Sequence, residues 1–474
     1  MPAVEGALIV VSYYALTWLY LRFVFSERKH SKTIILAALV FTQFAFKVLD
    51  RFYLASYTSR AGDENFWITA LRGYQESGVI PTETLAQGPG IFYVVSLIAK
   101  PFHTDYASTL VGLAIVLGCI YVVPTFVMYE NFSGDSLQAS LAGVILLSMS
   151  DAMIYSTTIA RPTLLGLFLI PIAIVALQSL RRSFRWQVFL GLLMVSTLIL
   201  IIHAPITYLV LLLIVSFAWL VYDRIGRWET VYTITIFGLY GLILRMMIPD
   251  LDRIWRTEIL GAYPLNIFPT VLGSNFFLIF TLAGLIVLEL FLLTVRFRRN
   301  LVAAGRALGR RKEITTYLPM GALAGLALLV AATAYPKYSA YINTVYGSLG
   351  FFALVQSWKI PFAILALMGV RTSLRTKSRN DARENWAIPW LISIAVVVSF
   401  LASYFPLRTI VGLWNLDERF LEFAYYPAFY FIAVELESLS RRLSRGVFNW
   451  LVLPLISLFV VPSLMVATLF AVLR

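Results

Sequence analysis

A chain of 474 residues that is 60% hydrophobic and 13% charged, with a mean hydropathy of +0.81, excludes a soluble globular protein. The net charge of +13 raises nucleic acid as a partner, but the cations sit in short stretches between apolar runs, the pattern of loops that face anionic lipid, so no nucleic acid is expected. One cysteine, Cys119, excludes an intrachain disulfide, and His30, His103 and His203 are too scattered to mark a metal site.

Apolar runs of about 18 residues or more read as membrane helices. Fourteen spans are predicted in chain order: 7–25, 33–49, 107–128, 137–152, 163–180, 188–202, 207–222, 231–248, 275–295, 318–335, 345–370, 386–404, 421–437 and 451–473. The first lacks a basic leader and a small-residue cleavage site, so it reads as a retained span. The stretch 91–102, "IFYVVSLIAKPF", is too short to cross and reads as an amphipathic or re-entrant surface helix.

Lysine and arginine counts set the orientation. With the N-terminus outside, the inner loops carry 23 of these cations and the outer segments 11, and "RFRRNLVAAGRALGRRK" at 296–312 is the strongest vote. Both termini then lie outside. The expectation is an all-α polytopic bundle of about 13–14 membrane helices. It forms one transmembrane domain over 1–474, multi-pass in the plasma membrane, with no attached soluble domain. Its first long outer loop, 50–106, is acidic and carries amphipathic surface helices.

The outer side gathers polar residues that a membrane protein keeps at a cost. Asp63 and Glu64 lie in "AGDENFW", beside Trp67. Arg161 lies in "YSTTIARPT" and His203 in "IIHAPIT". Arg253 and Arg256 lie in "DLDRIWRTE", Lys337 in "YPKYSAY", and Asp417, Glu418 and Arg419 in "NLDERFLEFAYYP". Each has a plain structural reading. Trp67 suits an interfacial anchor, Arg161 before Pro162 a helix start, Lys337 a snorkelling cation, His203 a satisfied loop histidine, and Asp417 to Arg419 a local ion pair. Together, carboxylates and several cations on one side of a membrane are what a site needs to deprotonate a hydroxyl while holding a phosphate.

Four segments carry a family resemblance: "GDENFWITALRGYQESGVIP", "QGPGIFYVVSLIAKPF", "LLSMSDAMIYSTTIARPTLLGLFLI" and "LDERFLEFAYYPAFYFIAVEL". In their order and shared side, the chain resembles the GT-C superfamily of integral-membrane glycosyltransferases, which take a sugar from a polyprenyl-phosphate donor. Two departures stand out: one additional span precedes the acidic loop, and neither a WWDYG-like motif nor a C-terminal soluble domain is present. The resemblance therefore points away from the oligosaccharyltransferase branch. It points toward compact single-sugar transferases similar to protein mannosyltransferases and aminoarabinose transferases.

The resemblance implies an inverting transfer to an acceptor hydroxyl on a lipid, glycan or protein at the outer face. It implies Asp63 as the general base, with Glu64 as second choice or orienting partner. Arg419 in the matched "DERF" is then the leading cation for the donor phosphate, ahead of Arg161, Lys337 and Arg256. His203, Trp67 and Glu418 fall near the acceptor and sugar. "DLD" at 250–252 could supply oxygens to a divalent cation, but no cofactor is expected to be required. A transporter or lipid-linked-sugar flippase is the rival from another class. Lys47, Arg245, Glu289 and Lys359 are the main ionisable groups within its spans. A polysaccharide polymerase or ligase, and a non-catalytic relative, are the remaining alternatives.

Overall fold

A computed structural model describes residues 2–26, 31–52, 62–81, 90–134, 136–150, 160–202, 359–376 and 416–460. It also describes Thr84, Met153, Ile154, Thr157, Ile214, Ala387, Ile388, Trp390 and Leu391. The protein is all-α: every described element is a helix, and no strand occurs among the described residues. The spans predicted at 231–248, 275–295 and 318–335 lie outside the described residues, as do 207–222 apart from Ile214 and most of 386–404.

The first two apolar runs form α1 (Pro2–Val24) and α2 (Lys32–Phe52). The stretch after the acidic pair forms α3 (Gly62–Ser77), and the short run forms α4 (Gly90–Phe102). At about 1.5 Å per residue α4 is about 20 Å long, short of a hydrocarbon core of about 30 Å. The run predicted as one span at 107–128 divides into α5 (Tyr106–Ile120) and α6 (Val122–Ser133). Pro124 explains the division, because its ring removes a donor and crowds the carbonyl of Ile120. Then come α7 (Leu137–Met149), α8 (Thr163–Arg182) and α9 (Trp186–Ile202). The predicted span 137–152 ends early, because Ser150 turns to extended backbone and its hydroxyl accepts the Met153 N–H at 3.3 Å.

Later in the chain are α10 (Lys359–Thr376) and α11 (Leu416–Arg442). A helical turn at Arg445–Val447 and a π-helical turn at Phe448–Val452 then lead into α12 (Leu453–Val460). The predicted ends of two spans move: α10 runs past residue 370, and α11 takes in 416–420, which the sequence reading had placed in an outer loop. Among the described residues, three stretches are long and apolar enough to cross a membrane: Lys32–Leu49, Tyr106–Ser133 and Thr163–Leu180.

Two packed cores hold these elements. The larger joins α1, α2 and α6 to α12. Its axis is a tyrosine relay in which the Tyr129 hydroxyl donates to the Tyr426 carbonyl at 2.6 Å and the Tyr426 hydroxyl donates to the Leu167 carbonyl at 2.8 Å. This ties α6, α8 and α11 through buried polar groups that must be satisfied. Tyr426→Phe is expected to cost about 1 kcal/mol, read as a lower midpoint of thermal unfolding in detergent. Helices α10 and α11 cross closely at Gly369 of α10, which lies against the Phe431 backbone of α11. Close approach at small residues is how membrane helices gain packing contacts.

The smaller core anchors the surface helices. Trp67, Ala70 and Leu71 of α3 meet Ile91, Phe92, Val95 and Ala99 of α4, Leu110 and Ala114 of α5, and the start of α8. These buried positions of α3 recur at helical spacing, as an amphipathic helix requires. Helix α3 ends at Gly78, whose φ of 69° is the left-handed cap conformation that glycine adopts freely, with its N–H on the Tyr74 carbonyl at 2.8 Å. The Gln75 side chain then accepts the Tyr106 N–H at 2.9 Å, fixing α3 to the start of α5.

Candidate functional site

The acidic pair lies in the first turn of α3. The Glu64 side chain is turned into the protein: it is 2% exposed, and its Oε2 accepts the Ala160 N–H at 3.0 Å. Carboxylates near a helix N-terminus are favoured by the helix dipole, and a buried carboxylate needs such donors. Ala160 is itself buried, so this bond satisfies a backbone donor that has no access to water.

The next residue is Arg161, 7% exposed, immediately before α8. The sequence offered Arg161 either as a phosphate ligand or as the anchor of a helix start, and its carbonyl accepts the Leu164 N–H at 3.2 Å in the first turn of α8 while the residue as a whole is buried. Two of the predicted site residues, Glu64 and Arg161, are thus brought to the same place by one hydrogen bond between chain positions 96 residues apart.

A residue outside the predicted site contacts the chain three residues before Ala160. Lys47 in α2 is 3% exposed, and its Nζ donates to the Thr157 Oγ1 at 2.7 Å. Gly118 of α5 makes room for this contact: a Cβ there would lie 2.5 Å from the Thr157 carbonyl oxygen and 2.9 Å from the Lys47 Cε. One turn earlier on α2, Gln43 is fully buried and its Nε2 donates to the Ser148 carbonyl at 3.0 Å. Lys47 was visible in the sequence only as an ionisable residue inside an apolar span, which is by itself a signal of function.

Trp67 is buried in the smaller core, its ring 5.5 Å from Phe66 and 6.1 Å from Phe92. That position makes it a support for α3 rather than an interfacial anchor. Tyr74, on the same face, packs edge-on to Phe92 at 5.3 Å. Burial, with the neighbouring Tyr93 and Tyr106, pushes its phenol above the usual range, so it stays a neutral hydroxyl at physiological pH. Glu418 and Arg419 lie in the first turn of α11 instead of a loop. Asp63 is described only by its place in the first turn of α3. His203, Arg256 and Lys337 lie outside the described residues. Among the described residues, no three His, Cys, Asp or Glu side chains gather to hold a metal ion.

No family model matches the chain. No curated protein matches it. Among solved structures it is similar to the crystal structure of the Archaeoglobus fulgidus oligosaccharyltransferase in complex with Zn and sulfate, with 13% sequence identity and a TM-score of 0.41. The match covers 81% of this chain and 44% of that one. The chain therefore spans less than half the length of that protein.

Proposed function

We propose that the chain is an integral-membrane glycosyltransferase of the GT-C type. It moves a single sugar from a polyprenyl-monophosphate donor to an acceptor hydroxyl of a lipid, glycan or protein at the extracytoplasmic face of the plasma membrane. The reading treats 1–474 as one transmembrane domain. The observation that supports it is the docking of the acidic helix α3, through Glu64, onto the segment that carries the buried Arg161. A carboxylate-bearing surface helix held beside a buried cation suits a reaction that removes a proton at one end and gathers negative charge at the other.

In this mechanism the acceptor oxygen attacks the anomeric carbon while Asp63 takes its proton. The bond from the anomeric carbon to the phosphate oxygen breaks, its electron pair leaves with the polyprenyl phosphate, and the configuration inverts. Glu64, engaged with the Ala160 N–H, fixes the first turn of α3 and so the position of the base. Arg419 and Arg161, with Lys337 and Arg256, meet the charge that grows on the phosphate. Cations placed there stabilise the transition state more than the ground state. His203 and Glu418 stand near the acceptor and sugar, and Trp67 holds α3 behind them. No metal is required.

The test is sugar transfer from a panel of polyprenyl-monophosphate sugars, comparing the full-length protein in liposomes with its Asp63→Asn variant and supplying crude membrane acceptors. The wild type is expected to consume one donor, and the variant to lose about 100-fold or more of the rate at unchanged thermal stability. An equal rate in the variant removes Asp63 as the base. A wild type that consumes no donor, but carries one across the bilayer, makes the flippase the correct reading.

A further inference from the structure

We infer that Lys47 is a positioning residue whose ammonium, acting through Thr157, fixes the segment that receives Glu64 and presents Arg161. The inference rests on the proposed transferase reading.

The direction of the contact follows from the hydroxyl's own bonds. The Thr157 Oγ1 lies 2.5 Å from the Met153 carbonyl, to which it donates its one proton. The lone pairs left on that oxygen can only accept, so Lys47 Nζ is the donor across 2.7 Å. Thr157, Lys47 and the adjoining Gly118 close together without water-sized slack: Thr157 is fully buried, and a Cβ at Gly118 would strike both partners. Three residues after Thr157 stands the Ala160 N–H held by Glu64, and one residue further stands Arg161. The segment is therefore pinned on one side by a cation from α2 and on the other by a carboxylate from α3.

A neutral side chain would serve if pinning were the whole purpose. Gln43, one turn before Lys47 on the same helix, makes the equivalent tie to Ser148 with an uncharged amide. Burying an ammonium costs far more than burying an amide, and such groups are retained in membrane proteins where the charge is used. Its partner Thr157 stands three residues before the Ala160 N–H that Glu64 holds, so Lys47 bears on the acidic and basic ends of the site through that hydroxyl.

The experiment uses the full-length protein in liposomes and the variants Lys47→Gln, Thr157→Val and Thr157→Ser, with two readouts. The first is donor turnover resolved into kcat and KM. The second is the rate at which N-ethylmaleimide labels Cys119, the lone cysteine, which is buried beside Gly118. Lys47→Gln and Thr157→Val are expected to lower kcat about 100-fold, the scale set by a misplacement of about 1 Å, with KM for the donor within about twofold. Thr157→Ser, which keeps the accepting hydroxyl, is expected to restore kcat to near wild type. Thr157→Val is expected to raise Cys119 labelling about tenfold as the junction opens, and Thr157→Ser to leave it unchanged.

Loss of Cys119 protection with unchanged kcat makes the contact a packing tie only and overturns the positioning role. A fall in kcat with Cys119 still protected overturns the route through Thr157. An active wild type with all three variants unaffected sinks this inference alone. A wild type that consumes no donor sinks the transferase reading and the positioning role with it, and Cys119 labelling then reports the tie separately.

Discussion

Gly369→Leu is expected to abolish the close crossing of α10 and α11 and to cost about 3 kcal/mol or more. The reason is geometric. A single Cβ at Gly369 would fall within the Phe431 carbonyl group, and a backbone carbonyl in a helix cannot rotate aside. The two helices would have to separate. Separation would also part Phe362 from Phe429, whose rings meet edge-on at 5.8 Å, and pull Thr372 off the buried Glu435, to whose Oε2 its hydroxyl donates at 2.5 Å. Gly369→Ala is expected to show the same effect at smaller size, since one methyl already overlaps the backbone. The measurement is thermal unfolding in detergent followed by size-exclusion chromatography. A Gly369→Leu protein with wild-type stability would mean that the crossing is not where the packing is.

Glu64→Ala is expected to destabilise the protein by about 1–3 kcal/mol, and Glu64→Gln by much less. The alanine leaves the buried Ala160 N–H without the acceptor it now has at 3.0 Å. The glutamine keeps one oxygen for that place, turns the other into an amide NH2 and removes the charge. Thermal unfolding of the two variants separates the hydrogen bond from the charge. In the transferase assay, Glu64→Gln is expected to retain more activity than Asp63→Asn, because Glu64 acts on the position of the base and Asp63 on the proton. If the order is reversed, Glu64 is the base and the roles exchange.

Local pattern carried a large share of this architecture. The apolar runs placed α1, α2, α8 and α9 to within a few residues, and the brevity of the run at 91–102 matches the length of α4. The amphipathic spacing after the acidic pair was equally readable, because Trp67, Ala70 and Leu71 repeat at the period of a helix that covers a core. The start of α11 was not. Charges at 417–419 look like a loop to hydropathy, yet a helix readily carries charged residues in its first turn.

The centre of the site was the least legible part, and for a physical reason. Nothing local decides that the Glu64 side chain turns inward. The choice is made by where α3 lies against Ala160, 96 residues along the chain. The pairing of Lys47 with Thr157 spans 110 residues and depends on a missing side chain at Gly118 on a third helix. Such contacts are products of tertiary packing and leave no periodic trace. Only the cost of placing a lysine in an apolar span hinted at them.

The short helix α4 has a consequence for the surrounding bilayer. Its inner face is buried, while Tyr93 and Leu97 on its other side are 53% and 75% exposed. Large apolar side chains on that scale need lipid around them, and a helix of about 20 Å cannot reach both leaflets. Those side chains suit the acyl region of a single leaflet, in which α4 would lie as an interfacial helix. A cysteine at Leu97 should then react slowly with a membrane-impermeant maleimide in liposomes, and fast if that face meets water.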